Sequence, residues 1–183
     1  MRIIAGIYRS RVLAAPAGLA TRPTSDRLRE TLFNVLAPRI EGALLLDLYA
    51  GSGAVGLEAL SRGAASVVFV ERAQPALRVL RENLAALGIV SGFRIYSGSA
   101  ASYLRAYSGE GFDVVFLDPP YAAAKEYQSA LELLGAAAAP VLAEGGVVIA
   151  EHRRKERLED QYGALGRTRL LEQGDAALSF YAV

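Results

Sequence analysis

The 183-residue sequence contains no cysteine and a single histidine, His152. The first absence excludes disulfides and thiolate metal sites. The second leaves nothing from which to build a histidine metal cluster or a histidine-based triad, so no metal is expected. No apolar run reaches the length that crosses a membrane, and the N-terminal MRIIAGIYRSR lacks the apolar core of a signal peptide. A soluble cytoplasmic protein with no membrane partner is the expectation. Net charge is also scarce, at +1, but it is unevenly spread. Residues 1–39 carry seven arginines (Arg2, Arg9, Arg11, Arg22, Arg27, Arg29 and Arg39) against Asp26 and Glu30, a surplus of +5. The rest of the chain holds 13 basic and 17 acidic residues, a deficit of −4. Arginine grips phosphate with two parallel hydrogen bonds and stacks on bases. A basic arm on a near-neutral body fits a nucleic-acid partner better than a merely solvated face.

What is present is a globular composition, 52% apolar and 21% charged, of a length that suits one α/β domain with a small appendage. The expected division is a basic extension over residues 1–39 and a catalytic domain over 40–183, most simply a monomer. The chain is organised around LLLDLYAGSGAVGLEAL, Leu44–Leu60. A short buried strand ends near Asp47, a small-residue turn follows, and Leu57–Leu60 open a helix. Gly51-x-Gly53-x-x-Gly56 satisfies the dinucleotide fingerprint, where a Cβ would block close approach of a ligand. Asp47 argues against a dinucleotide, because a carboxylate at the mouth of the turn would repel a pyrophosphate on the helix N-terminus. It suits a cationic ligand without phosphate, and S-adenosylmethionine, with an ammonium and a sulfonium, is one.

Residues 1–21 read as an irregular hairpin turning near Arg9-Ser10. Thr24, Ser25 or Asp26 caps a helix with Leu28, Leu32, Phe33 and Leu36 on one face and Arg27 and Arg29 pointing elsewhere. Five strands are expected near 43–48, 66–71, 93–97, 112–117 and 146–151, alternating with helices, and predict a parallel doubly wound sheet. A short polar helix is expected after Arg153-Arg154-Lys155. Thr168–Gln173 and Ala177–Ala182, separated by Gly174-Asp175, read as an antiparallel C-terminal hairpin that brings the sheet to seven strands.

Candidate chemistry falls at the ends of successive strands. Glu71 lies 18 residues after Gly53 and can accept hydrogen bonds from both hydroxyls of a ribose. Ser99 follows the third strand, and either meets an adenine amino group or simply caps the next helix. Asp118-Pro119-Pro120-Tyr121 ends the fourth strand. A double proline that merely stops a strand would not need an acid and an aromatic on either side. An exocyclic amine on a base is a poor nucleophile because its lone pair is conjugated into the ring. Asp118 and the carbonyl of Pro119 can hold its hydrogens out of plane, the latter fixed by neighbouring prolines. Tyr121 offers a face on which the base can stack. Positioning beside an activated methyl donor supplies much of the rate, so no histidine base is needed.

With these residues in view, the sequence resembles the RsmD family of bacterial small-subunit rRNA guanine-N2 methyltransferases. The likeness runs through RIIAG at Arg2–Gly6, RPTSDR at Arg22–Arg27, RETLFN at Arg29–Asn34, DLYAGSGAVGLEALSRGA at Asp47–Ala64, Glu71, DPPY at Asp118–Tyr121 and the closing hairpin. The resemblance implies a class I Rossmann-like methyltransferase fold, S-adenosyl-L-methionine as donor, and 16S rRNA of an assembling small subunit as substrate. It implies donor-binding roles for Asp47, Gly51 and Gly53, a ribose role for Glu71, an amino-group site at Asp118–Tyr121, and RNA contacts from the N-terminal arginines. The full donor-binding set expected is Asp47, Tyr49, Gly51, Ser52, Gly53, Glu71, Arg72, Ser99 and Ala100. The RNA-binding set is Arg2, Arg9, Arg11, Arg22, Thr24 and Arg27. DPPY also marks amino methylation of DNA adenine, so a DNA adenine-N6 methyltransferase remains an alternative. A nicotinamide-dependent oxidoreductase on the glycine turn leaves Asp47 and DPPY unexplained. A non-catalytic RNA-binding module is the remaining alternative.

Overall fold

The runs SVVFVE and FDVVFL are apolar on both faces, and both become strands covered on both sides. The computed structural model describes residues 1–15, 25–120, 124–136 and 141–183. Its strands are β1 (Leu44–Asp47), β2 (Ser66–Glu71), β3 (Phe93–Ser97), β4 (Phe112–Leu117), β5 (Leu142–Arg153), β6 (Gln161–Tyr162), β7 (Leu165–Gln173) and β8 (Ala176–Ala182). They make one sheet in the order β3-β2-β1-β4-β5-β8-β7-β6. β1 to β5 pair in parallel, and β8, β7 and β6 continue antiparallel from β5. The helices are α1 (Asp26–Leu36), α2 (Ala54–Ser61), α3 (Gln74–Leu87), α4 (Ala100–Ala106) and α5 (Ala124–Gly135). None of the described helices is long and apolar enough to cross a membrane.

Alternation along each strand divides the core in two. Leu45, Phe69, Val114, Phe116 and Ile149 pack with Leu32, Phe33, Leu57 and Leu80 of α1–α3. Leu46, Val70, Val115 and Val148 pack with Leu104 of α4 and Leu131 and Leu134 of α5. The chain steps outward from β1 to β3 and then returns to lay β4 on the other side of β1. That reversal opens a crevice at the carboxyl ends of β1 and β4.

Three local expectations are corrected. Among the described residues the sheet has eight strands, because the stretch expected as a short polar helix instead forms β6. Its Leu158 and Tyr162 are buried, and the Tyr162 ring meets Tyr181 edge-on at 5.7 Å. Gly163, at φ 58°, then turns the chain back into β7. β5 and β7 start earlier than expected, at Leu142 and Leu165, with a register shift between Phe112 and Val114 opposite β5. The third correction is Arg29. Expected to point away from the core, it is fully buried, while Arg27 is exposed.

Arg29 is buried because α2 supplies its counter-charge. Its Nε lies 3.7 Å from the Glu58 carboxylate, and one Nη donates to Asp26 at 3.0 Å and to the carbonyl of Arg2. Glu58, itself fully buried, accepts from the amides of Ile4 and Ala5 at 2.7 and 3.0 Å and from Arg62 Nε at 2.7 Å. The N-terminal arm is thereby fastened to the helix that follows the glycine turn. Residues 1–15 are a hairpin in outline, with one antiparallel bridge between Arg2 and Val12, and Ile3 and Leu13 reach the sheet's own core, while the rest of the expected 1–21 hairpin lies outside the described residues. Ser25 caps α1, its Oγ accepting from the Leu28 amide at 3.1 Å. Removing one partner from a buried ion pair leaves the other charge uncompensated. Glu58→Ala is therefore expected to lower unfolding stability by about 3–5 kcal/mol, read from urea melts, and a loss below about 1 kcal/mol would contradict this account of the arm.

Candidate active site

Each strand end at the crevice delivers one acidic side chain. Asp47 closes β1 and is 2% exposed. Its Oδ2 accepts from the Gly56 amide at 3.3 Å, which aims the carboxylate at the start of α2. Burial raises its pKa from 3.8 to about 7, helped by the nearby Glu71 carboxylate and opposed by backbone amides. Glu71 closes β2. It accepts from Gly51 N at 2.8 Å through one oxygen and from Arg72 N and Ala73 N at 2.8 and 2.7 Å through the other. Asp118 follows β4, where burial raises its pKa well above the usual carboxylate range, reinforced by Glu151 and Asp47.

These residues surround one cavity of about 450 Å³. Of the expected donor-binding residues, Asp47, Tyr49, Gly51, Ser52, Glu71, Arg72, Ser99 and Ala100 line it. Gly53 does not. It is the N-cap of α2 at φ 84°, and a Cβ there would lie 2.4 Å from Leu80. A Cβ on Gly51 would meet nothing within 4 Å, so the turn offers open backbone to a ligand at Gly51 and packs against its own protein at Gly53. Ser99 makes the capping bond, its Oγ accepting from Ser102 N at 3.1 Å, and also faces the cavity. Asp118 and Pro120 line the same cavity, whereas Pro119 is buried beside it. Tyr121, Arg22 and Thr24 lie outside the described residues. Arg9 and Arg27 are exposed. Arg2 lies 3.8 Å from Asp26 with its side chain 68% exposed, and Arg11 donates to the Ala86 carbonyl at 2.7 Å.

The chain also brings residues to the site that no local motif marks. Ala15 from the arm lines the cavity. Asn83 of α3 bonds both Ala14 backbone groups and the Ser52 carbonyl, at 2.8, 3.1 and 2.9 Å, and so ties arm to turn. Glu126 of α5 also lines the cavity and accepts from the Tyr49 hydroxyl at 2.9 Å. A concave cavity lined by the buried acid Asp47 and by Glu71 fits a cationic nucleoside. A pyrophosphate would face Asp47, Glu71 and Asp118 together.

A family model described as Conserved hypothetical protein 95 matches residues 1–182. The chain is 38% identical over 183 residues to YlbH of Bacillus subtilis (strain 168), covering 99% of this chain and 98% of that protein. It is 47% identical over 121 residues to Ribosomal RNA small subunit methyltransferase D of Escherichia coli (strain K12), a match covering 66% of this chain and 60% of that protein. The solved structure of yhhF from Escherichia coli superposes with a TM-score of 0.86 at 35% identity, covering 99% of this chain and 96% of that chain.

Asp47 must ionise to hold a cation. Affinity for S-adenosylmethionine is expected to fall below pH about 7, approaching tenfold per pH unit, as the carboxylate takes a proton. Because its folded value lies above its unfolded value, Asp47 also costs the donor-free fold stability as pH rises from about 4 through about 7. Asp47→Asn should flatten the affinity profile, weaken binding and leave the donor-free melting temperature at neutral pH unchanged or higher. Titration calorimetry and thermal melts across this range check it, and a pH-independent wild-type affinity would contradict the assignment.

Proposed function

The chain belongs to the RsmD family, whose model bears the description Conserved hypothetical protein 95, and is an S-adenosylmethionine-dependent methyltransferase of the class I fold; from that premise we propose that it methylates the exocyclic N2 amino group of a guanine in 16S rRNA. The observation that carries this reading is that Asp47 and Asp118, at the ends of neighbouring β1 and β4, line one cavity. A donor held at the first acid presents its methyl group toward the corner formed by the second.

S-adenosylmethionine, when bound, supplies an already activated methyl group. The rest is positioning by the chain. Asp47 answers the positive charge. Glu71, one of whose oxygens accepts from the Gly51 amide, has lone pairs for ribose hydroxyls. Asp118 and the Pro119 carbonyl accept the two amino hydrogens of the base, and Tyr121 stacks on its face. In the donor-free cavity burial, with the nearby Glu151 and Asp47, raises the Asp118 pKa and so opposes its negative charge. A cation in the cavity opposes that shift and favours the carboxylate that accepts those hydrogens. After transfer, the nitrogen loses one proton, which Asp118 can take and pass to water.

The exposed arginines of the arm, with Arg22 and Thr24 beside them in sequence, form the grip on RNA. The substrate is the rRNA of an assembling small subunit, and the enzyme acts as a cytoplasmic monomer. Incubation with small-subunit particles from cells lacking this protein should yield N2-methylguanine. Tyr121→Ala should bind donor normally yet lose transfer by at least about tenfold, in keeping with the loss of one base–aromatic stack. Arg9→Ala combined with Arg11→Ala should flatten the log–log salt dependence of RNA binding by about 1.5–2. Transfer to duplex DNA without transfer to ribosomal particles would instead favour the adenine-N6 reading.

A further inference from the structure

Tyr49, Arg72 and Glu126 come from three different strand exits, after β1, after β2 and at the first turn of α5. All three line the donor cavity. The Glu126 carboxylate joins them. One oxygen accepts from the Tyr49 hydroxyl at 2.9 Å, and the other accepts from Arg72 Nη1 at 3.4 Å. The side chains of Glu126 and Arg72 are 27% and 61% exposed, so the link runs along the surface of the cavity and not through its floor. We infer that Glu126 is a positioning residue: with Tyr49 and Arg72 it forms a bridge across the mouth of the donor cavity that opens to admit the donor and recloses over it. This rests on reading the cavity as the donor site.

The chemistry favours a latch over a fixed strut. Burial and the bonded Glu126 raise the pKa of the Tyr49 phenol above its usual value, so it stays protonated and remains a donor through the neutral range. The Arg72 pair is solvent-exposed and long, the kind of ion pair that contributes little and breaks readily. Glu126 also sits on the helix that follows the Asp118–Pro120 corner. Its bond to Tyr49 therefore ties the acceptor side to the turn that carries Asp47 and Gly51. The bridge holds before donor arrives and again after it is seated. It thus slows entry and exit alike and leaves the equilibrium between them nearly unchanged.

Association and dissociation rates of S-adenosylhomocysteine, measured without RNA, test this. Glu126→Ala should raise both rates by about tenfold while the dissociation constant moves less than about twofold, as expected when a gate is removed. Tyr49→Phe, which deletes only the hydroxyl, should shift both rates in the same direction by a smaller factor. Glu126→Gln, which keeps an acceptor for Tyr49, should restore most of the wild-type slowness. Equal melting temperatures establish that the fold is intact. A rise in dissociation alone, with weakened affinity, would make Glu126 a ligand contact and overturn the bridge, as would unchanged rates in both Glu126→Ala and Tyr49→Phe. Failure of the wild type to bind S-adenosylhomocysteine at all would overturn the donor site and the bridge with it.

Discussion

The parallel pairing of β1 with β4 is the constraint on which the site depends. It sets Leu46 beside Val115 and Asp47 beside Phe116. Asp118 lies two residues beyond Phe116 and so leaves the same face of the sheet as Asp47. The β4–β5 register extends the row, since Leu117 aligns with Ala150 and the next residues are Asp118 and Glu151. Three acids therefore stand side by side at the carboxyl ends of three neighbouring strands. Burial raises the pKa values of Asp47 and Asp118, Glu71 adding to the shift of Asp47, and Glu151 and Asp47 to that of Asp118. A cation opposes both shifts.

The second organising feature is the double use of α2. Its N-terminus receives the glycine turn, and Gly56, where a Cβ would come within 2.2 Å of the Phe69 ring, lets it lie close on the sheet. Its middle carries Glu58, which accepts from the arm's backbone and faces Arg29. Residues 1–15 of the basic arm are therefore fastened to the body of the protein. Asn83 makes a second connection by bonding both Ala14 and Ser52. An RNA held by the arm would be placed relative to the donor turn through these two links.

Much of this was legible in the sequence where the signal is local. The strand–turn–helix at Leu44–Leu60, the acid ending SVVFVE and the acid-proline corner after FDVVFL each declare themselves within a few residues. What was not legible depends on distant partners. The buried Arg29 looks like a surface residue until Glu58 is placed beside it. Glu126 looks like an ordinary first-turn acid until Tyr49, 77 residues earlier, is found bonded to it. The ERLEDQY stretch has the polarity of a surface helix, and only the pull of Leu158 and Tyr162 into the core makes a strand of its end. The glycine fingerprint was also coarser than the structure. Its three glycines do different work: Gly51 opens the backbone to a ligand, while Gly53 and Gly56 fit α2 against the protein.

The central claim is that the Asp47 and Asp118 ends of one cavity bring a methyl donor to a guanine amino group in small-subunit rRNA. The most direct measurement is nucleoside mass spectrometry of 16S rRNA from cells with and without this protein, with the modified position mapped by sequencing. The account predicts that one N2-methylguanosine disappears in its absence and returns with the wild type but not with Asp118→Ala. An unchanged rRNA methylation pattern, or a loss confined to N6-methyladenine in DNA, would contradict it.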